Sequence, residues 1–163
     1  MTDTQDTPGV IAPPPLLALG ALVLGLVFDR LAPAYVLTVL LSLFERIAIG
    51  LVLMAVGAAL AVSAIRAFTN AGTYVEPWKP TIALVTDDVF QWLRNPMYVG
   101  GMLLLAGLAI IIASDWTLVM TVALALALHF GVIKREERYL DAKFGEPYRN
   151  YRRKVRRYGW PPF

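Results

Sequence analysis

The sequence predicts an all-α integral membrane protein with about four transmembrane helices, and three observations support this prediction. Apolar residues make up 58% of the 163 residues, and charged residues make up only 17%, against about 25% in an average soluble domain. The mean hydropathy is +0.60. Four runs contain no Asp, Glu, Lys or Arg, namely residues 10–28, 47–65, 97–114 and 116–133. Each run is close to the ~17–25 residues that a helix needs to cross the hydrocarbon core of a bilayer.

The chain is short enough to form one membrane domain. Its predicted parts are a flexible tail (1–9), two spans with an intervening segment (10–68), a polar loop (69–95), a helical hairpin (96–133) and a basic C-terminal cap (134–163). The segment 31–44 is apolar but short, contains Pro33 and is bounded by charged residues. We interpret it as an interfacial or re-entrant piece, and a fifth span is the alternative.

The distribution of charge predicts the orientation in the membrane. From Lys134 onward the chain has ten Lys and Arg residues against four acidic residues. Basic segments next to spans stay in the cytoplasm, so we expect a cytoplasmic C-terminal helical cap. With four spans, the N-terminus and the loop 66–94 lie on the same side. Beside membrane spans, a basic tail indicates attraction to anionic lipid headgroups, and we expect no nucleic-acid partner.

The third and fourth spans must form a tight hairpin, because the only connection between them is the short turn at Ser114 and Asp115. The hairpin brings Arg94 and Tyr98, at the start of one span, beside Glu136 and Glu137, just past the end of the next. A carboxylate accepts hydrogen bonds, an arginine can hold a carboxylate, and an aromatic ring can cover a cation. These side chains therefore predict a site at one membrane surface.

Each of these residues also has an ordinary structural explanation. Arg94 and Tyr98 could be interfacial residues at a span end, and the two glutamates could pair with basic neighbours along a helix. Two adjacent acids at a membrane exit favour a functional role. His129, the one histidine, lies about one turn inside the fourth span. It is a candidate general base or a packed core residue, and without partners it predicts no metal site.

The order of the motifs resembles the isoprenylcysteine carboxyl methyltransferase family and its phospholipid methyltransferase relatives. The resemblance covers about residues 66–158. Its motifs are Arg94-Asn95-Pro96-x-Tyr98-x-Gly100, then Glu136-Glu137 with Leu140, Phe144-Gly145 and Tyr148, and upstream Gly72-Thr73 and Leu84-Val85-Thr86. Each motif alone is weak, whereas the ordered set in this topology is fairly specific.

The resemblance implies a multi-pass enzyme of a prokaryotic inner membrane. It would transfer a methyl group from S-adenosyl-L-methionine to a lipophilic or membrane-associated acceptor with a carboxylate, amine or thiol. The cofactor-binding residues would be Val75, Ile82, Ala83, Leu84, Val85, Phe90, Asn95, Pro96, Met97, Tyr98 and Glu136. The catalytic candidates are Arg94, Glu137 and His129. The chain departs from the family at Phe90, where a tyrosine is common, and at Val132, where eukaryotic members have an arginine.

Two rival interpretations remain open at the level of sequence. Membrane sterol and enone reductases have similar C-terminal halves but use NADPH, which calls for additional basic contacts to phosphate. A non-enzymatic scaffold or lipid-binding protein would bind no cofactor at all.

Overall fold

The computed structural model describes residues 6–159, and these form α-helices joined by short connections, a loop and two irregular turns. The helices are α1 (Pro14–Leu31), α2 (Val36–Leu40), α3 (Leu43–Asn70), α4 (Pro96–Ile111), α5 (Asp115–Leu128), α6 (Lys134–Phe144) and α7 (Glu146–Lys154). A 3₁₀ helix covers Asp88–Gln91, and a π-helical turn covers His129–Ile133. Within the described residues there is no strand, so the all-helical prediction is confirmed.

Three helices are long and apolar enough to cross a membrane. They are α1, α3 and the continuous helix that runs through α5, the π-helical turn and α6 from Asp115 to Phe144. The apolar α4 has 16 residues, which corresponds to about 24 Å of helix. By contrast, α2 has five residues and is too short to cross, as expected of an interfacial piece.

Glycines bring α3 and α4 into close contact. A Cβ atom at Gly57 would lie 2.7 Å from the carbonyl oxygen of Gly100, and one at Gly107 would lie 2.6 Å from that of Gly50. Real Cβ atoms do not approach backbone that closely, so any larger residue would push the helices apart. Small residues are a common device for packing helices in lipid.

The α4–α5 hairpin is closed at one end of the bundle by hydroxyl and carboxylate groups. The Ser114 hydroxyl caps α5 by accepting a hydrogen bond from the Thr117 backbone N–H at 3.1 Å. It also donates to Asp29 near the end of α1, and the Trp116 indole donates to the Ala32 carbonyl at 2.6 Å. These contacts fix α1 against α5. Because the turn between α4 and α5 is short, the two helices run antiparallel, and the start of α4 lies beside the end of α5, close to the beginning of α6.

The helix after α5 leaves the apolar region through the π-helical turn and ends at Gly145. A π-helical turn adds one residue to a helical turn and thereby rotates the rest of the helix, and such turns are frequent at functional sites. Gly145 has φ +59°, a left-handed conformation that glycine adopts without a Cβ penalty. The chain then reverses into α7, whose Tyr148 is only 2% exposed.

Candidate functional site

A cavity of about 370 Å³ lies where the polar loop, the start of α4, α6 and α7 meet. Among the residues predicted for the site, its lining includes Val75, Ala83, Leu84, Val85, Phe90, Arg94, Asn95, Pro96, Met97, Tyr98, Glu136 and Glu137. The hairpin thus places residues of two distant motifs around one space, as its short turn requires.

Two of the predicted site residues lie outside the lining. The Ile82 side chain is 60% exposed, while its backbone N–H donates to the Thr73 hydroxyl at 2.9 Å. His129 lies in the π-helical turn, and its Nδ1 is 2.5 Å from the Tyr158 hydroxyl. Neither residue therefore lines this cavity in the structure, and for Ile82 the resemblance implies contacts made mostly through the backbone.

Glu137 is held by two arginines. Its Oε1 lies 3.0 Å from Arg94 Nη1, and Arg157 makes a two-point contact, with Nε 2.8 Å from Oε1 and Nη2 2.6 Å from Oε2. The side chains of Arg94 and Glu137 are only 10% and 11% exposed. The hydrogen bond to Glu137 raises the pKa of Arg157. This cluster therefore carries a net positive charge.

Tyr148 extends the arginine cluster toward α7. Its hydroxyl accepts a hydrogen bond from Arg94 Nη1 at 3.3 Å. Burial raises the pKa of Tyr148 to about 12, and the nearby negative charge of Glu137 acts in the same direction. The phenol therefore stays protonated near neutral pH.

The segment after α7 is fastened to the start of α4 by backbone and side-chain hydrogen bonds. The Arg94 N–H donates to the Arg156 carbonyl at 3.0 Å, and Asn95 Nδ2 donates to the Arg157 carbonyl at 3.1 Å. On α7, the Tyr151 hydroxyl donates to the Phe90 carbonyl at 2.7 Å. These bonds hold the segment after α7 against the start of α4, and on α7 itself Tyr148 and Tyr151 line the cavity.

Glu136 differs from its neighbour Glu137 in its charge environment. It lines the cavity, and within residues 6–159 no basic group lies within ion-pair distance of its carboxylate. The Tyr98 hydroxyl lies beside it. Burial without a countercharge disfavours the ionised form of a carboxylate, and a cation bound beside Glu136 would stabilise that form.

The apolar end of the cavity extends between the membrane helices. It is lined there by Pro14, Pro15 and Ala18 of α1, Gly101 and Met102 of α4, and Leu124 and Leu128 of α5. One space therefore joins charged groups at the end of the bundle to an apolar surface at membrane depth. Such a shape suits a molecule with a polar head and a lipophilic body.

The N-terminal segment covers one side of the cavity. The Asp6 carboxylate pairs with Lys143 at 2.5 Å, Arg135 donates to the Gly9 carbonyl at 2.7 Å, and the Ile11 N–H donates to the Gly131 carbonyl at 3.2 Å. Of the predicted flexible tail, residues 6–9 are thus in contact with the bundle, and residues 1–5 lie outside the described part.

Several lining or anchoring residues were not predicted from the sequence. In the sequence, Arg157 was one of several basic residues of the tail, and nothing distinguished it from the others. The α1 residues at the apolar end of the cavity have no charged or polar side chain that would indicate a site. Tyr139 accepts a hydrogen bond from the Thr81 N–H at 3.0 Å and donates one to Asp6 at 2.9 Å. Its position three residues after Glu136, on the same helix face, was the available signal.

No group of three or more His, Asp or Glu side chains that could hold a metal ion occurs between residues 6 and 159. Residues 45–147 match the family model described as phospholipid methyltransferase. No curated protein and no solved structure matches the chain.

Proposed function

The chain belongs to the phospholipid methyltransferase family, and from that premise we propose that it transfers a methyl group from S-adenosyl-L-methionine to a lipophilic, membrane-associated acceptor. The observation that carries this proposal is the single cavity that joins Glu136 and Arg94 to an apolar surface between α1, α4 and α5. A polar donor and an apolar acceptor must meet in such an enzyme, and this cavity offers a surface to each.

The residues at the charged end fit the amino acid part of the donor. Glu136, which has no ion-pair partner in the described chain, would accept hydrogen bonds from its ammonium group. Arg94 Nε is buried without a hydrogen-bond partner among residues 6–159, although Arg94 Nη1 is engaged by Glu137 and Tyr148. A buried N–H without an acceptor costs about 1–3 kcal/mol, and the carboxylate of the donor would relieve that cost.

When bound, S-adenosyl-L-methionine supplies a methyl group already activated on a sulfonium. The protein therefore has to position the acceptor and exclude water, and positioning alone can contribute several kcal/mol. Glu137 is held in ion pairs by two arginines, and His129 is outside the cavity. We assign Arg94 and Glu137 to holding the charged wall in place, and Glu136 and Tyr98 to contact with the donor.

We propose that α1, α3, α4 and α5 all cross the membrane, with both termini and the loop 66–94 in the cytoplasm. The turn between α4 and α5 is so short that α4 must accompany α5 across the apolar layer, despite its 16 residues. Local thinning of the bilayer accommodates a short span at modest cost. The basic tail supports the orientation, and a prokaryotic inner membrane is the compartment that we propose.

The charge of the cavity favours this function over the NADPH-dependent alternative. Among the described lining residues Arg94 is the one Lys or Arg, and it is already paired with Glu137. The phosphates of NADPH call for further free cations, whereas the sulfonium and ammonium groups of the methyl donor suit an unpaired carboxylate.

The test is a calorimetric titration of the purified protein with S-adenosyl-L-methionine and its demethylated product, followed by labelled-methyl transfer into a lipid extract. We expect saturable binding of both compounds and label in a lipid-soluble product. Saturable binding of NADPH without binding of the methyl donor would instead identify a reductase. Absence of any cofactor binding in folded protein would identify a scaffold.

A further inference from the structure

We propose that the end of the bundle opposite the cavity carries a second binding site, for the headgroup of an anionic phospholipid. An open groove of about 910 Å³ lies there between the end of α1, the segment around α2, the start of α3 and the α4–α5 turn. Its polar lining consists of two arginines, one acid and three hydroxyl groups, namely Arg30, Arg46, Asp29, Tyr35, Thr38 and Ser114. None of these residues contributes to the cavity at the other end, so the proposal is independent of the methyl-transfer function.

The two arginines of this groove have no anionic partner within the described chain. Neither Arg30 nor Arg46 forms an ion pair among residues 6–159. Arg46 is half-buried, and its Nε is fully buried without a hydrogen-bond acceptor in this part of the chain. A buried guanidinium N–H is costly unless an acceptor satisfies it, so Arg46 calls for a ligand oxygen.

The carboxylates nearby are already engaged by other groups. Asp29 accepts from the Ser114 hydroxyl and from the Trp116 N–H at 3.3 Å. Asp115 accepts from the backbone N–H groups of Val36 and Leu37 at 3.1 and 2.9 Å. Glu45 closes a capping box with Ser42 at the start of α3. These three carboxylates thus accept hydrogen bonds from nearby backbone and hydroxyl groups and form no ion pair with Arg30 or Arg46. The two arginines can therefore bind an anion from outside the chain.

The walls of the groove indicate that this anion is part of a lipid. Val23, Leu26, Val27 and Leu31 line it and are 50%, 42%, 45% and 75% exposed. A free phosphate ion would leave these apolar side chains uncovered, whereas the acyl chains of a phospholipid would lie along them. Arg30 is one residue from the end of α1, and Arg46 is in the first turn of α3, so both lie at headgroup depth. A phosphodiester can accept bidentate hydrogen bonds from each guanidinium.

The proposed orientation of the chain adds a second reason to expect a ligand. In that orientation the groove lies on the non-cytoplasmic side of the membrane. Unpaired basic residues next to spans are disfavoured on that side. Two unpaired arginines on this side are explained by an anionic lipid that neutralises them.

The test compares lipid binding by four full-length proteins purified in neutral detergent: the wild type, R30Q, the double variant R30Q/R46Q and the control R66Q. Arg66 is an exposed arginine at the other end of α3, outside the groove. The probes are phosphatidylglycerol, phosphatidylcholine with the same acyl chains, and inorganic phosphate. Retained lipid is counted by native mass spectrometry, and the melting temperature is recorded in each case.

We expect the wild type and R66Q to retain phosphatidylglycerol in preference to phosphatidylcholine. The loss of one charge-assisted contact should weaken binding about tenfold in R30Q, and R30Q/R46Q should retain the two lipids equally. Arg30 is exposed, so R30Q keeps the proposal testable even if the double variant does not fold. The proposal is overturned if R30Q binds phosphatidylglycerol as tightly as the wild type, if the wild type does not discriminate between the lipids, or if inorganic phosphate displaces the lipid at equal concentration.

Discussion

Arg157 and Glu137, twenty positions apart, form a two-point ion pair with N···O distances of 2.8 and 2.6 Å. This pair joins the segment after α7 to α6, and Arg94 joins both to the start of α4. The charged wall of the cavity is therefore one connected unit, built from three parts of the chain around a single carboxylate.

We expect Glu137→Gln to destabilise the fold. The change leaves Arg94, only 10% exposed, and Arg157 without their shared anion. Removing one partner of a buried ion pair costs about 3–5 kcal/mol. Because Arg157 is 29% exposed, we expect the free energy of unfolding to fall by about 2–4 kcal/mol. Thermal unfolding in detergent measures this effect, and a melting temperature equal to that of the wild type would contradict it.

We expect Glu136→Gln to weaken donor binding while the fold stays intact, which makes it the matched counterpart of Glu137→Gln. The change removes the carboxylate that has no ion-pair partner among residues 6–159. One charge-assisted hydrogen bond corresponds to about 1.5–3 kcal/mol, or roughly ten- to a hundredfold in affinity. Calorimetry with S-adenosyl-L-methionine measures the loss. If the affinity is unchanged in a protein with a normal melting temperature, Glu136 belongs to the cavity wall and has no contact with the donor.

The sequence predicted which motifs lie together but not the different surroundings of Glu136 and Glu137 within the site. The charge-free runs and the short turn at Ser114 and Asp115 were enough to bring Arg94 beside Glu136 and Glu137. The separate environments of the two glutamates depend on how far α6 is rotated, and the π-helical turn at His129–Ile133 sets that rotation. Nothing in residues 129–133 apart from Gly131 indicates an irregular turn.

The position of His129 shows the same limit of sequence reasoning. A residue one turn inside a span can face the cavity or the surface, and hydropathy alone does not distinguish the two when the whole helix is apolar. In the loop, the Ile82 backbone is bound by Thr73 while its side chain points outward. For Ile82 the resemblance implies contacts made mostly through the backbone, so its exposed side chain leaves that prediction open.

We expect the loop and the tail to be accessible from the cytoplasm and the α1–α3 connection to be accessible from outside. Single cysteines at Gln91, Asn150 and Tyr35 report on these regions, because all three side chains are exposed and the natural chain has no cysteine. In intact cells an impermeant thiol reagent should label only the cysteine at Tyr35. After lysis all three should react, which serves as the control. Labelling at Gln91 or Asn150 in intact cells, with protection at Tyr35, would reverse the proposed orientation.

We expect Gly101→Leu to hinder the acceptor while leaving donor binding and the fold intact. Gly101 lines the cavity, and a Cβ atom at this position would meet nothing within 4 Å, so a larger side chain occupies open space. Its neighbour Gly100 is the matched contrast, because a Cβ atom there would lie 2.6 Å from the Gly57 carbonyl oxygen. Gly100→Ala should therefore destabilise the α3–α4 contact by about 1–3 kcal/mol, as overpacking does.

For Gly101→Leu we expect roughly a tenfold lower kcat/KM for the lipid acceptor, which corresponds to about 1.4 kcal/mol. Labelled-methyl transfer measures this rate, calorimetry measures donor affinity, and thermal unfolding measures stability. A joint loss of rate, affinity and stability would assign Gly101 to helix packing. An unchanged rate in a folded variant would place the path of the acceptor away from α4, for example along α1, where Pro14 and Ala18 line the same cavity.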